Sequence, residues 1–95
     1  MEDGKETEPQ ILVVDDEPMN IEVMEMMISN NNQSIDRAHN GLQAIAKVKD
    51  RLNKCLERRS SQNMYKLILL DYSMPEMDGP QVSMNVRDLF ASANW

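Results

Sequence analysis

An α/β domain with a parallel sheet is the fold class this 95-residue sequence predicts. Three observations lead there. Two short, unbroken apolar runs, Ile11-Leu12-Val13-Val14 and Leu67-Ile68-Leu69-Leu70, lack the alternation of a half-exposed strand and read as strands covered on both faces. Each run ends abruptly in acid, Asp15-Asp16-Glu17 after the first and Asp71 after the second. Between and after them lie segments with apolar residues at helical spacing, so strand and helix alternate along the chain. That order calls for right-handed crossovers and parallel strands.

Residues 1–10 are polar and carry four acids, Glu2, Asp3, Glu6 and Glu8, and are expected to form a disordered leader. Ile11 to Val14 form the first strand, with three β-branched residues suited to a central place. Pro18 fits the first turn of a helix running to about Ser29, with Ile21, Met24, Met27 and Ile28 as its apolar face. Asn30-Asn31-Asn32-Gln33 stops it. Ser34 to Ala38 is a weak strand whose Asp36 and Arg37 suit a sheet edge. Asn40 caps a second helix, Gly41 to Arg59, with a stripe of Leu42, Ile45, Val48, Leu52, Cys55 and Leu56 and its basic residues mostly outward. A polar exit through Asn63 leads to the third strand, and Asp78-Gly79-Pro80 marks the turn into a third helix. Val82, Val86, Leu89 and Phe90 are that helix's apolar side.

Composition narrows the function. Acids outnumber bases 16 to 10, a net charge of −6, which argues against direct nucleic-acid binding and favours cations or basic partners. The single cysteine, Cys55, forms no internal disulfide, and it reads as buried and inert. No apolar stretch approaches a membrane span and the polar start is not a signal peptide, so the chain is expected to be cytoplasmic without membrane contact. His39, alone at a strand-to-helix turn, reads as solvent-facing.

The carboxylates carry the chemistry. If the first and third strands are neighbours, Asp15, Asp16 and Asp71 meet at one rim, at the carboxyl ends where open α/β sheets bind ligands. Three carboxylates in one crevice repel one another. A bound Mg²⁺ relieves the repulsion, since it takes oxygen ligands and keeps several waters. Asp71 is the expected reactive member.

The blocks Val13-Val14-Asp15-Asp16-Glu17-Pro18, Asn40-Gly41-Leu42-Gln43-Ala44 and Leu70-Asp71-Tyr72-Ser73-Met74-Pro75-Glu76-Met77-Asp78-Gly79 together resemble the receiver domain of two-component response regulators and hybrid histidine kinases. The resemblance covers about Ile11 to Phe90. It implies a flavodoxin-like, doubly wound sheet of order 2-1-3 for the three strands present. It also implies that a histidine kinase or histidine phosphotransfer protein donates a phosphoryl group to Asp71, the phosphoacceptor. Asp15, Asp16 and Asp71 would hold Mg²⁺, with the backbone carbonyl of Ser73 completing the protein ligands. Such a module is not an enzyme in the usual sense. Met74-Pro75 and Asp78-Gly79 would fix the loop that bears the carbonyl.

A full receiver has five strands and five helices, with a Ser or Thr ending the fourth strand and a Lys ending the fifth. Against that pattern, residues 11–95 are expected to be the N-terminal part of a longer receiver, truncated after the third helix. Lys66, Lys47, Lys49 and Lys54 are not placed to replace the missing Lys. The third strand becomes an exposed edge, which predicts either self-association through it or marginal stability. The alternative function is a phosphorylation-incompetent fragment acting only as a docking module. A phosphatase with an aspartyl nucleophile is disfavoured, because the acid such enzymes carry two residues on is here Ser73.

Overall fold

The computed structural model describes residues 9–29, 33–60, 64–72 and 74–93. The expected leader through residue 8, the Asn30–Asn32 helix stop, the polar exit at 61–63, Ser73 and Trp95 lie outside the described residues. Six elements follow in the expected alternation: β1 (Ile11–Val14), α1 (Pro18–Ser29), β2 (Ile35–Ala38), α2 (Gly41–Arg58), β3 (Leu67–Leu70) and α3 (Gly79–Ser92).

The three strands form one parallel sheet in the order β2-β1-β3. From β1 the chain crosses to one side to make β2, then back over β1 to make β3. The switch point therefore lies between β1 and β3, where a doubly wound sheet opens its ligand crevice. The register aligns Val14 with both Ala38 and Leu70, so the three strands end level.

The sheet separates two apolar layers. On one face α1 packs Ile21, Met24 and Ile28 against Val13, Ile35 and Leu69. On the other, α2 and α3 cover Leu12, Val14, Ala38, Ile68 and Leu70 with Ala44, Val48, Leu52, Val82 and Val86. Leu12, Val13 and Val14 are all buried, as a central strand requires.

Several helical expectations shift. Met27 is exposed, because it lies about 120° round α1 from Ile21 at 100° per residue. Leu42 and Leu56 are exposed too, about 120° and 80° from Val48 on α2. The buried stripe of α2 instead runs through Gly41, Ala44, Val48, Arg51, Leu52 and Cys55. Gly41 lets α2 approach α3 closely: a Cβ there would stand 2.8 Å from Val82 Cγ2 and 3.0 Å from Met77.

Arg51 is the exception to the outward-facing bases. It is buried because three separate segments supply partners: Nη1 donates to the Pro9 carbonyl at 2.6 Å, Nη2 lies 3.5 Å from Asp36 Oδ2, and the guanidinium sits 4.1 Å from the Tyr65 ring centroid. Pro9 and Gln10 are thereby tied to the domain, since the Gln10 carbonyl also accepts from the backbone N–H of Lys66 at 2.8 Å.

β3 is less covered than its sequence reads. Leu67 is 48% exposed and Ile68, Leu69 and Leu70 are half-buried, because among the described residues β3 pairs only with β1.

Candidate metal and phosphoacceptor site

The ladder continues one residue past the strand ends. Asp15 N–H donates to the Ala38 carbonyl at 3.1 Å, and Asp71 N–H donates to the Val14 carbonyl at 2.9 Å. Both residues are thus fixed at the carboxyl rim of the sheet before the chain turns away. Asp15, Asp16 and Asp71 each bring a carboxylate oxygen within 4.8 Å of the other two. Asp15 and Asp71 are half-buried and Asp16 is exposed.

Asp15 is held at both carboxylate oxygens. Its Oδ1 accepts from the backbone N–H of Glu17 at 2.9 Å, and its Oδ2 accepts from Asn20 Nδ2 at 3.2 Å. The sequence reading passed over Asn20. Its one signal was an amide in the first turn of a helix that opens two residues after an acid pair. The donor set is all oxygen and anionic, the set that a hard divalent cation such as Mg²⁺ takes.

The chain after Asp71 is pinned at both ends. Met74 is buried in the α2–α3 layer. Met77 N–H donates to the Pro75 carbonyl at 2.7 Å, closing a γ-turn about Glu76, whose φ of 71° is left-handed. Asp78 then caps α3 with a full capping box: its side chain accepts from Gln81 N–H, and the Gln81 side chain accepts from Asp78 N–H. The Asp78-Gly79-Pro80 turn signal is therefore the helix start itself. At the start of α2, Asn40 accepts from Gln43 N–H at 2.8 Å, as expected of the N-cap. His39 is exposed and Cys55 is buried, also as expected. The Ser73 carbonyl lies outside the described residues.

Beside the carboxylates, a cavity of about 230 Å³ lies between α1 and β3, lined by Val13, Val14, Asp15, Met24, Leu69, Leu70 and Asp71. A second cluster sits at the edge of the sheet, around Asp36. Burial pushes the Asp36 carboxyl up, but the Tyr65 hydroxyl, Lys47 Nζ at 2.9 Å and the Arg37 N–H outweigh it and hold the group below its ordinary value.

The model of the response regulator receiver domain matches residues 11–93. This chain belongs to the receiver domain family. Among receiver-containing relatives, it is 32% identical over 92 residues to Histidine kinase 5 of Arabidopsis thaliana, covering 96% of this chain and 9% of that protein. It is 38% identical over 81 residues to the transcriptional regulatory protein ResD of Bacillus subtilis (strain 168), covering 85% of this chain and 29% of that protein. The receiver domain of the histidine kinase CKI1 from Arabidopsis thaliana, solved in complex with Mg²⁺, superposes with a TM-score of 0.84 at 26% identity. That match covers 92% of this chain and 61% of the CKI1 chain. The receiver described here thus spans less than two thirds of each of these proteins. No described helix is long and apolar enough to cross a membrane.

Proposed function

We propose that this receiver is the phosphoacceptor of a two-component phosphorelay, with Asp71 taking the phosphoryl group and Asp15, Asp16, Asp71 and the Ser73 carbonyl holding Mg²⁺. The observation that carries the reading is the convergence of three carboxylates, from the ends of two adjacent strands, within 4.8 Å. The Mg²⁺ complex of the similar CKI1 receiver supports the choice of ion.

The donor is a phosphohistidine on a histidine kinase or phosphotransfer protein. An Asp71 carboxylate oxygen attacks phosphorus, the P–N bond breaks, and the imidazole nitrogen leaves with the electron pair and takes up a proton. Phosphoryl transfer demands positioning and charge neutralisation more than covalent assistance. A cation bound at this rim supplies the charge neutralisation. The chain supplies the positioning: Asp71 N–H is locked onto Val14, and the capped start of α3 holds the following loop. Met19, Val23 and Met26, exposed along one side of α1, offer apolar contact to the donor protein. The outer edge of β3 takes a second copy of the chain, supported by its lack of a second strand neighbour among the described residues and by the exposure of Leu67.

Incubation with acetyl phosphate and Mg²⁺, followed by intact-mass measurement, tests the reading. One acyl-labile phosphate is expected, and none in Asp71→Asn. Mg²⁺ binding without any incorporation, from acetyl phosphate or from a phosphorylated donor, would instead leave a docking module.

A further inference from the structure

We infer that Asn20 is a positioning residue for Asp15, fixing the plane of that carboxylate so that it presents an oxygen to a small divalent cation. The inference rests on the metal reading above and deepens it. The Glu17 N–H holds one oxygen of Asp15 and by itself leaves the carboxylate free to swing about its Cβ–Cγ bond, a soft torsion. The Asn20 amide holds the other oxygen at 3.2 Å and stops that rotation. Each oxygen accepts one hydrogen bond here, and an ionised carboxylate offers about four lone-pair sites, so acceptor capacity remains for an ion.

The anchor is itself rigid. Asn20 precedes Ile21, whose side chain is 1% exposed against Val13 and Ile35, so the packing of α1 on the sheet sets the distance from Asn20 to the end of β1. Pro18 fixes the backbone where the helix begins. The chemistry of the donor also fits. An amide orients the carboxylate without adding positive charge, whereas a lysine there would repel the ion it was meant to help bind.

The test is calorimetric titration of the metal-free chain with Mg²⁺ and with Ca²⁺, for the unsubstituted protein, Asn20→Ala and the near-isosteric Asn20→Leu. Hydrogen-bond partners of metal-ligating groups are typically worth 10- to 100-fold in affinity, and an exposed one lies at the low end, so Mg²⁺ binding should weaken about tenfold in both variants. Ca²⁺ binding should weaken less, because the larger ion accepts more varied ligand geometry. The metal-free melting temperature should not fall, since Ala and Leu are better helix formers than Asn. Unchanged Mg²⁺ affinity in both variants would overturn the inference. So would an equal loss for both ions accompanied by a lowered metal-free melt, which would mark Asn20 as merely structural. Failure of the unsubstituted chain to bind either ion is a different result: it removes the metal reading itself.

Discussion

Gly79 lies against the backbone of Asp71. A Cβ on Gly79 would stand 2.7 Å from the Asp71 carbonyl oxygen and 3.2 Å from Tyr72 Cα, and Gly79 N–H donates to the Tyr72 carbonyl at 3.0 Å. The first residue of α3 therefore packs directly on the backbone that carries Asp71. Backbone is what a side chain would strike, and backbone yields less readily than a flexible side chain.

Gly79→Ala should accordingly lower stability by about 1–3 kcal/mol, the usual cost of forcing atoms into a packed site. It should also weaken Mg²⁺ binding, because Asp71 is displaced from Asp15 and Asp16. Chemical denaturation and metal titration of the variant measure both effects. Unchanged stability together with unchanged affinity would show that the contact is slack.

Asp36 makes the fold acid-sensitive in a defined window. Its carboxyl is held below the ordinary value of 3.8, so the stability it contributes is fully present at neutral pH. That contribution is lost as pH falls below about 4 and through the folded-state value. Tyr65→Phe removes the hydroxyl that donates to Asp36 and should cost about 1 kcal/mol at pH 7, reduced from a fully buried case because Asp36 is 27% exposed. Melting curves of the two proteins should draw together as pH falls past about 4. A gap that stays constant to pH 2 would mean that the Tyr65 hydroxyl does not act through the charged carboxylate.

The outer edge of β3 should make the chain self-associate. Sedimentation velocity is expected to show a larger species growing with concentration, and Leu67→Lys should shift it toward monomer by placing charge on the edge. A sharp monomer boundary at every concentration, with a cooperative melt, would contradict pairing through β3.

Much of this was legible in the chain because the signals were local. Apolar runs that stop at Asp15 and Asp71 disclosed both strands and the rim where they end, the Asn40 cap sat at its helix start, and the Asp78-Gly79-Pro80 turn led into the third helix. The failures share a cause: each depended on what lies across the fold. Leu42 and Leu56 looked like core by spacing, yet the close approach of α2 to α3 at Gly41 turns the smaller Ala44 inward instead. Arg51 is buried only because Pro9, Asp36 and Tyr65, from three separate segments, gather round it. Asn20 carries no motif of its own; its bond to Asp15 arises from the angle at which α1 leaves β1. The Leu67–Leu70 run, written for an interior strand, stands at an edge because among the described residues β3 pairs with β1 alone, and a strand's place in the sheet is set by its neighbours rather than by its own sequence.

Paramagnetic Mn²⁺ in place of Mg²⁺ gives the most direct measurement, since it broadens amide resonances only close to the ion. Titration of isotope-labelled protein should selectively broaden Asp15, Asp16 and Asp71, and excess Mg²⁺ should restore them. Broadening confined to the acids of residues 1–8 or to Asp36 and Asp50, with the rim amides untouched, would contradict the claim that the ends of β1 and β3 share a cation.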